Sequence, residues 1–470
     1  MNFYSVLLYF ALRPQPGVRD KRLLALTRTN LCMKRTFAFF SFALSIQLLC
    51  AQTSSDSLLI GATLQECIQY AIAHQPSVKR AQLQEQIAGF TVRSHLADWL
   101  PQIGGVYSVQ HNFQRGTNVF NGVATPVGVQ NSSLGQFYLN QTIFNRDVLL
   151  ASRSKSDIYM QASQATAAEK IDITVDVSKA YYDILTTQQQ IKVADENIAR
   201  LQKSLADAYY RYQSGITDKT DYKRAQISLN NTRATKQINE AALVAKMESL
   251  KNLLGYPVGA SLSIVYDSLQ MEREVGFDTL QRPDFSKRIE YQQLLTQKRL
   301  EQAYVIYQRN AFLPNVSMSA VYNLNYLNNN FSKLYENNYP NSYVFLNAGI
   351  PIFQGGKRRS NMKSAKLTVA QIDLDLINFE NLINSQYATA LSNYKGSLSN
   401  YLASKENVNL AQEVYDVINL QYKAGIKTYI EVINAETDLR TSQINYFNSL
   451  NQVLASKVDA ERALGLIRYE

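Results

Sequence analysis

The chain has 470 residues, with 48 Lys and Arg against 38 Asp and Glu, a formal net charge of +10 and a pI near 9.2. That length allows one large fold or two to three ordinary domains. The basic balance sits at the start: the first 51 residues hold seven Lys/Arg and one acid, and the remainder carries a net charge of only +4. So weak a polycation, with no basic and aromatic stripe, excludes nucleic acid as an expected partner.

Lys34-Arg35 precede a mostly apolar run of 13 residues, Phe37 to Leu49, and then Cys50-Ala51-Gln52. A basic start, a short apolar core and a small exit residue read as a secretory signal peptide over 33–51, cleaved after Ala51. The run is too short to span a bilayer as a helix. Met33 is then the expected start, with 1–32 an upstream extension. A lipidated Cys50 is a minor alternative, because Gln47-Leu48-Leu49 lacks the small residue expected before such a cysteine. Only Cys67 remains in the mature chain, which excludes an internal disulfide. His74, His95 and His111 do not have a metal-ligand spacing.

Residues 62–98 read as helix, with Leu64, Cys67, Ile68, Ala71 and Ile72 on one face. Thr63 and Glu66 form an expected capping box, and Pro76 kinks or restarts the helix. After Trp99-Leu100-Pro101 the period changes to two. Strands are expected at about 102–113 and 133–144, separated by a Gly/Asn/Pro-rich loop at 114–132. A segment without Pro or Gly, 146–213, reads as one long helix with a thin, coiled-coil-like apolar seam. At a helical rise it would span on the order of 100 Å. The chain reverses at Gly215 and returns as helix 218–254, stopped by Leu253-Leu254-Gly255-Tyr256-Pro257. Residues 256–283 read as an irregular connector.

The pattern then repeats. Helix 284–311 leads to Phe312-Leu313-Pro314. Strands are expected at about 316–326 and 343–353 around an Asn-rich loop at 327–341. A long helix follows at 357–423, a reversal at Gly425 and a helix at 428–464 before Gly465. Gly215 and Gly425 are 210 positions apart, and other landmarks keep offsets of 209 to 213. The expected organisation is therefore a tandem duplication: 52–255 with tip 214–218, connector 256–283, and 284–470 with tip 424–428.

In each half two shorter helices nearly equal one long helix, giving two parallel columns with strands at one end and reversals at the other. The strands have the length of tilted membrane-spanning strands and alternate apolar with Asn/Gln/Ser positions. Four strands cannot close a barrel; several copies can, and three give twelve strands. Tyr107, Phe113, Phe137, Phe144, Tyr322, Tyr326, Tyr343 and Phe353 lie near strand ends, as β-favouring residues or as an aromatic girdle at the lipid interface.

The duplicated hairpins Tyr212-Gln213-Ser214-Gly215-Ile216 and Tyr422-Lys423-Ala424-Gly425-Ile426, the Leu-Pro strand entries and the Leu-Gly helix stops, in this order, resemble the outer-membrane efflux factor family, the TolC-like proteins. The resemblance covers residues 58–468. It implies a mainly α fold with β: a homotrimer with a twelve-stranded barrel in the outer membrane, in contact with its lipid, continued by an α-helical barrel in the periplasm of a Gram-negative bacterium. It implies the exit duct of a tripartite efflux or type I secretion system. The partners would be a periplasmic adaptor and an inner-membrane pump of the RND or ABC class. Carried over by position, it implicates Tyr422, Lys427, Asp221 and Glu431 in gating the helix tips, and Gly215, Ile216, Gly425 and Ile426 in adaptor docking. Asn434 stands where the best-known member has a second acid. Glu431 and Asp221 also suit simple helix-dipole compensation, and the glycines suit helix termination.

No nucleophile–base set is recognisable, and Gly355-Gly356-Lys357 lacks the rest of a phosphate motif. Neither enzymatic activity nor a cofactor is expected. Two rival readings are a periplasmic coiled-coil scaffold without a pore, which would carry little β-structure, and a constitutively open porin, for which long helices with reversal tips are superfluous.

Overall fold

A computed structural model describes residues 59–265 and 268–469. The expected extension, the signal peptide and Cys50 lie outside the described residues. In chain order the elements are α1 (Leu64–His74), α2 (Pro76–Ala97), β1 (Gln102–His111), β2 (Thr117–Phe120), β3 (Val123–Pro126), β4 (Asn131–Phe144), α3 (Arg146–Gln213), α4 (Lys219–Leu254), α5 (Ser268–Glu274), α6 (Ile289–Arg309), β5 (Asn315–Asn328), β6 (Asn341–Gly349), α7 (Lys357–Lys423) and α8 (Tyr429–Leu464).

Local chemistry sets most of these bounds. Thr63 and Glu66 form the reciprocal capping box of α1, and Pro76 opens α2 at a position where its missing N–H costs nothing. Asn145 caps α3 by accepting from the Asp147 N–H at 2.7 Å. With 68 residues, α3 is about 100 Å long. It packs against α2 along one part and α4 along another, while α7 is flanked in the same way by α6 and α8; α3 also touches α6 and α8.

The shorter helices stack end to end. Gly255 caps α4 with φ +66°, and a Cβ there would lie 2.9 Å from the His74 carbonyl oxygen and Gln75 Cα, at the α1–α2 junction. Gly465 caps α8 with φ +70°, and a Cβ there would lie 2.8 Å from the Lys287 carbonyl oxygen just before α6. Each long helix therefore runs beside a column made of two.

The main core lies where these ends meet. Cys67, Ala71 and Val78 pack there with Val177, Ile184, Leu250, Leu454 and Tyr394. The segment read as an irregular connector takes part: it contains α5 and buries Leu262, Ile264, Met271 and Val275. The Tyr181 hydroxyl donates to the Val265 carbonyl at 2.9 Å, and Ile264 bridges to Ala62. This order comes from contacts remote in sequence, which no local period reports.

β1, β4, β5 and β6 form one antiparallel sheet in the order β1-β4-β5-β6, with β1 and β6 as its edges. The register puts Ile103, Leu139, Ala320 and Val344 in one cross-strand row and Phe137 beside Tyr322 on the same face. The opposite face carries amides in a ladder: Gln136 donates to Asn323 at 2.9 Å, and Asn323 to Asn341 at 2.8 Å. The last strand stops at Gly349 rather than 353, because Pro351 has no N–H to give a ladder. The loop after β1 contains the β2–β3 hairpin, closed by Asn121 and Gly122 with φ 51° and 81°, as a two-residue turn requires. Among the described residues no helix is long and apolar enough to cross a membrane.

Replacing Gly255 by Ala imposes left-handed strain of about 1–2 kcal/mol plus a collision with the α1–α2 backbone. Replacing Gly425, whose Cβ would meet nothing within 4 Å, imposes only the strain. Thermal unfolding of the purified variants should show the larger loss for Gly255→Ala; equal losses would refute the end-to-end contact.

Candidate functional site at the helix tips

Both reversals have the same hydrogen-bond pattern. Gly215 N–H donates to the Tyr212 carbonyl at 3.0 Å and Ile216 N–H to Arg211 at 2.9 Å; Gly425 donates to Tyr422 at 3.0 Å and Ile426 to Gln421 at 2.9 Å. These are the paired bonds of a Schellman motif, which needs the positive φ of 71° and 78° that the two glycines supply. The following residues end up on the outside: Ile216 is 69% exposed and Ile426 is 72% exposed. The docking residues expected from the sequence thus form two exposed apolar tips.

The four expected gate residues separate into two groups. Lys427 and Glu431 pair with each other within one hairpin, Nζ to Oε1 at 2.6 Å. The other Glu431 oxygen accepts from the Thr428 N–H and hydroxyl, each at 2.9 Å. The Lys427 hydrogen bond, then the Thr428 donors, bring the Glu431 pKa down to about 2. Its charge serves its own helix cap.

Tyr422 and Asp221 belong to the interface between hairpins. Tyr422 is buried in a small cluster with Ala208, Ala225, Tyr429 and Val432, and its hydroxyl has no partner. The Arg211 guanidinium lies over the Tyr422 ring, 4.7 Å from its centroid, and reaches the Lys423 carbonyl at 3.5 Å. Tyr429 meets Tyr422 at 5.5 Å between centroids, and its hydroxyl shares a 2.9 Å hydrogen bond with Ser204. Asp221 is half-buried; burial raises its pKa, Arg224 opposes that rise and Asp218 adds to it. Burial likewise raises the Tyr422 and Tyr429 hydroxyls, the latter to about 12. Above this cluster a cavity of about 550 Å³ opens between α3 and α7, lined by Arg200, Lys203, Asp207, Arg211, Tyr415 and Tyr422.

Glu436 went unnoticed in the sequence reading. It follows Tyr429, Val432 and Ala435 on the buried seam of α8, where an apolar residue belongs, and it is only 6% exposed. Oε1 has no hydrogen-bond partner. Desolvation raises its pKa to about 7, against the attraction of Arg200 on α3 and Arg440 on α8. Tyr415 on α7 and Tyr429 also face it. Arg440 is engaged with Thr232 of α4 at 2.9 Å, and Arg200 with Asn197 and the Tyr415 ring. Its spacing from Tyr429, seven residues on a coiled-coil seam, was the available signal.

Between the ordinary glutamate value of 4.5 and about 7, the folded chain holds a proton on Glu436 that the unfolded chain releases. Stability from this group therefore falls as pH rises through that window, by up to about 3 kcal/mol. Glu436→Gln should flatten the fall and raise the unfolding midpoint at pH 8, measured by scanning calorimetry from pH 5 to pH 8. An unchanged profile would remove the assignment.

A family model described as outer membrane efflux protein matches residues 67–256 and 292–466. The outer membrane protein TolC of Escherichia coli (strain K12) is 21% identical over 432 residues, covering 88% of this chain and 84% of that protein. The probable efflux pump outer membrane protein TtgC of Pseudomonas putida is 22% identical over 416 residues, covering 87% and 84%. Among solved structures, the open state of the Neisseria gonorrhoeae MtrE outer membrane channel superposes with a TM-score of 0.67 at 17% identity, covering 86% of this chain and 88% of that one. The chain is an outer-membrane protein with a TolC-like fold and belongs to the outer membrane efflux protein family.

Proposed function

We propose that this chain is the exit duct of a tripartite efflux or type I secretion system. It would work as a homotrimer that passively conducts substrates from an inner-membrane pump to the outside. The sheet carries this reading. Among the described residues no strand pairs with the outer edge of β1 or of β6, one face is apolar and the other is an amide ladder. Backbone groups in hydrocarbon must be paired, so edge-to-edge closure by further copies satisfies both the edges and the faces. Three copies give a twelve-stranded barrel. The two halves, 52–255 and 284–470, are read as repeats of one unit joined by 256–283, which the matching Schellman tips support.

Gating is assigned to the tips. Tyr422 and Arg211 hold the α7–α8 hairpin against α3, Asp221 is assigned to the gate as the acid beside the Tyr422–Tyr429 pair, and Lys427 and Glu431 keep the start of α8 rigid as it moves. Opening then separates Arg211 from the Tyr422 ring and exposes the small cluster beneath. Gly215, Ile216, Gly425 and Ile426 are the surface offered to a periplasmic adaptor, which would join the duct to an inner-membrane pump of the RND or ABC class. No catalytic role is proposed.

Purified mature protein should have the native mass of three copies and fractionate with outer membranes; a soluble monomer would overturn the duct. In planar bilayers, Arg211→Ala and Asp221→Ala should each raise the open probability several-fold. Glu431→Ala should act less, through fraying of α8. Unchanged traces for Arg211→Ala and Asp221→Ala would remove their gate role.

A further inference from the structure

The four strand-to-helix junctions form a shelf under the sheet, and one part of it is strongly cationic. From 357 to 372 the sequence holds Lys357, Arg358, Arg359, Lys363 and Lys366, and the first acid on α7 is Asp373. These five side chains belong to exposed residues. Among the described residues none of them forms an ion pair. Cations in the first turn oppose the helix macrodipole, so they do not stabilise α7 itself. The corresponding long helix α3 starts in the ordinary way, with the Asn145 cap and Asp147.

The cations adjoin exposed apolar groups. Ile352 is 94% exposed and Phe353 is 88% exposed, in the segment between β6 and α7. Arg358 lies over the Phe312 ring, 5.3 Å from its centroid, at the entry to β5. At the next junction Arg146 lies over Tyr307 at 4.5 Å. Apolar and aromatic groups bordered by Lys and Arg fit the depth where hydrocarbon gives way to headgroups. The opposite end of the sheet differs: its loops, 112–130 and 329–340, carry only Arg115 and Lys333 as bases, with Glu336 as an acid.

We propose that Lys357, Arg358, Arg359 and Lys363, with Phe353 as the apolar anchor, form a docking surface for anionic phospholipid headgroups of the periplasmic leaflet. This rests on the reading that the sheet is the membrane part and the helices are periplasmic. Charge complementarity and continuity with the sheet's apolar face identify the occupant. The patch lies on the helical side of the barrel, which selects phospholipid rather than the glycolipid of the outer leaflet. In a trimer it recurs three times, as a ring of cationic footings that fix how deeply the duct sits.

Trp99 is the chain's single tryptophan, so Trp99→Phe with Phe353→Trp moves the only indole to the patch. The protein is reconstituted in phosphatidylcholine vesicles containing a small, matched fraction of brominated phosphatidylglycerol or brominated phosphatidylcholine, and quenching is compared. Brominated phosphatidylglycerol should quench about twofold more at low salt, with the preference lost in high salt. Adding Lys357→Gln, Arg358→Gln and Arg359→Gln should abolish the preference, while Arg358→Lys with Arg359→Lys should retain it. Equal quenching by the two lipids would overturn the headgroup preference and leave the membrane placement standing. Absence of quenching by either would overturn the placement and the proposal with it.

Discussion

The abutment of helix ends at Gly255 and Gly465 is the constraint on which the rest of the architecture depends. A helix of 68 residues cannot bury its seam against one of 36. It needs a second short helix in line with the first, without a gap. The gap is closed because each capping glycine lets the next backbone come within van der Waals contact, where any side chain would hold it off. The core collects at these joints, with Leu250, Leu254, Leu450 and Leu454 beneath them. The sheet lies beyond one end of the columns and the Schellman tips close the other, so the joints also set the distance between them.

Much of this was legible because helices of this kind announce their ends chemically. Arg146–Gln213 and Lys357–Lys423 match the expected bounds to the residue, since Asn145 and Gly356 open them and the reversing glycines follow them closely. The sheet's faces were legible too, because strict alternation leaves one way to turn each strand. What escaped was structure imposed from a distance. Residues 256–283 have no period, yet Tyr181, Tyr394 and Ala62 order them through contacts more than eighty residues away. The β2–β3 hairpin was masked differently: the composition of the loop reads as irregular, although Asn121-Gly122 between Val119 and Val123 is the local signal for a tight hairpin.

At the tips, position in the motif named residues beside the two reversals but not the groups they touch. Lys427, Thr428 and Glu431 lie within five residues, and their mutual pairing follows from ordinary capping chemistry. Arg211 and Ser204 lie more than two hundred residues from the groups they touch, Tyr422 and Tyr429, so no pattern near Gly425 could name them. Glu436 was concealed by its own chemistry: an acid in a helix of mixed charge looks solvated until the seam shows which way it faces.

The amide ladder of the sheet has a consequence for what can travel past it. The four strands that build the sheet contain no Asp, Glu, Lys or Arg, and the face opposite the apolar one presents Gln136, Asn140, Asn323 and Asn341. Amides offer donors and acceptors together, so such a wall holds neither a well nor a barrier for an ion of either sign. In the proposed duct, cations, anions and neutral molecules would leave through the outer mouth on equal terms, slowed by size and hydration alone. Discrimination would then fall to the helical end of the pore, and the last few nanometres of the route would be indifferent to the cargo's charge.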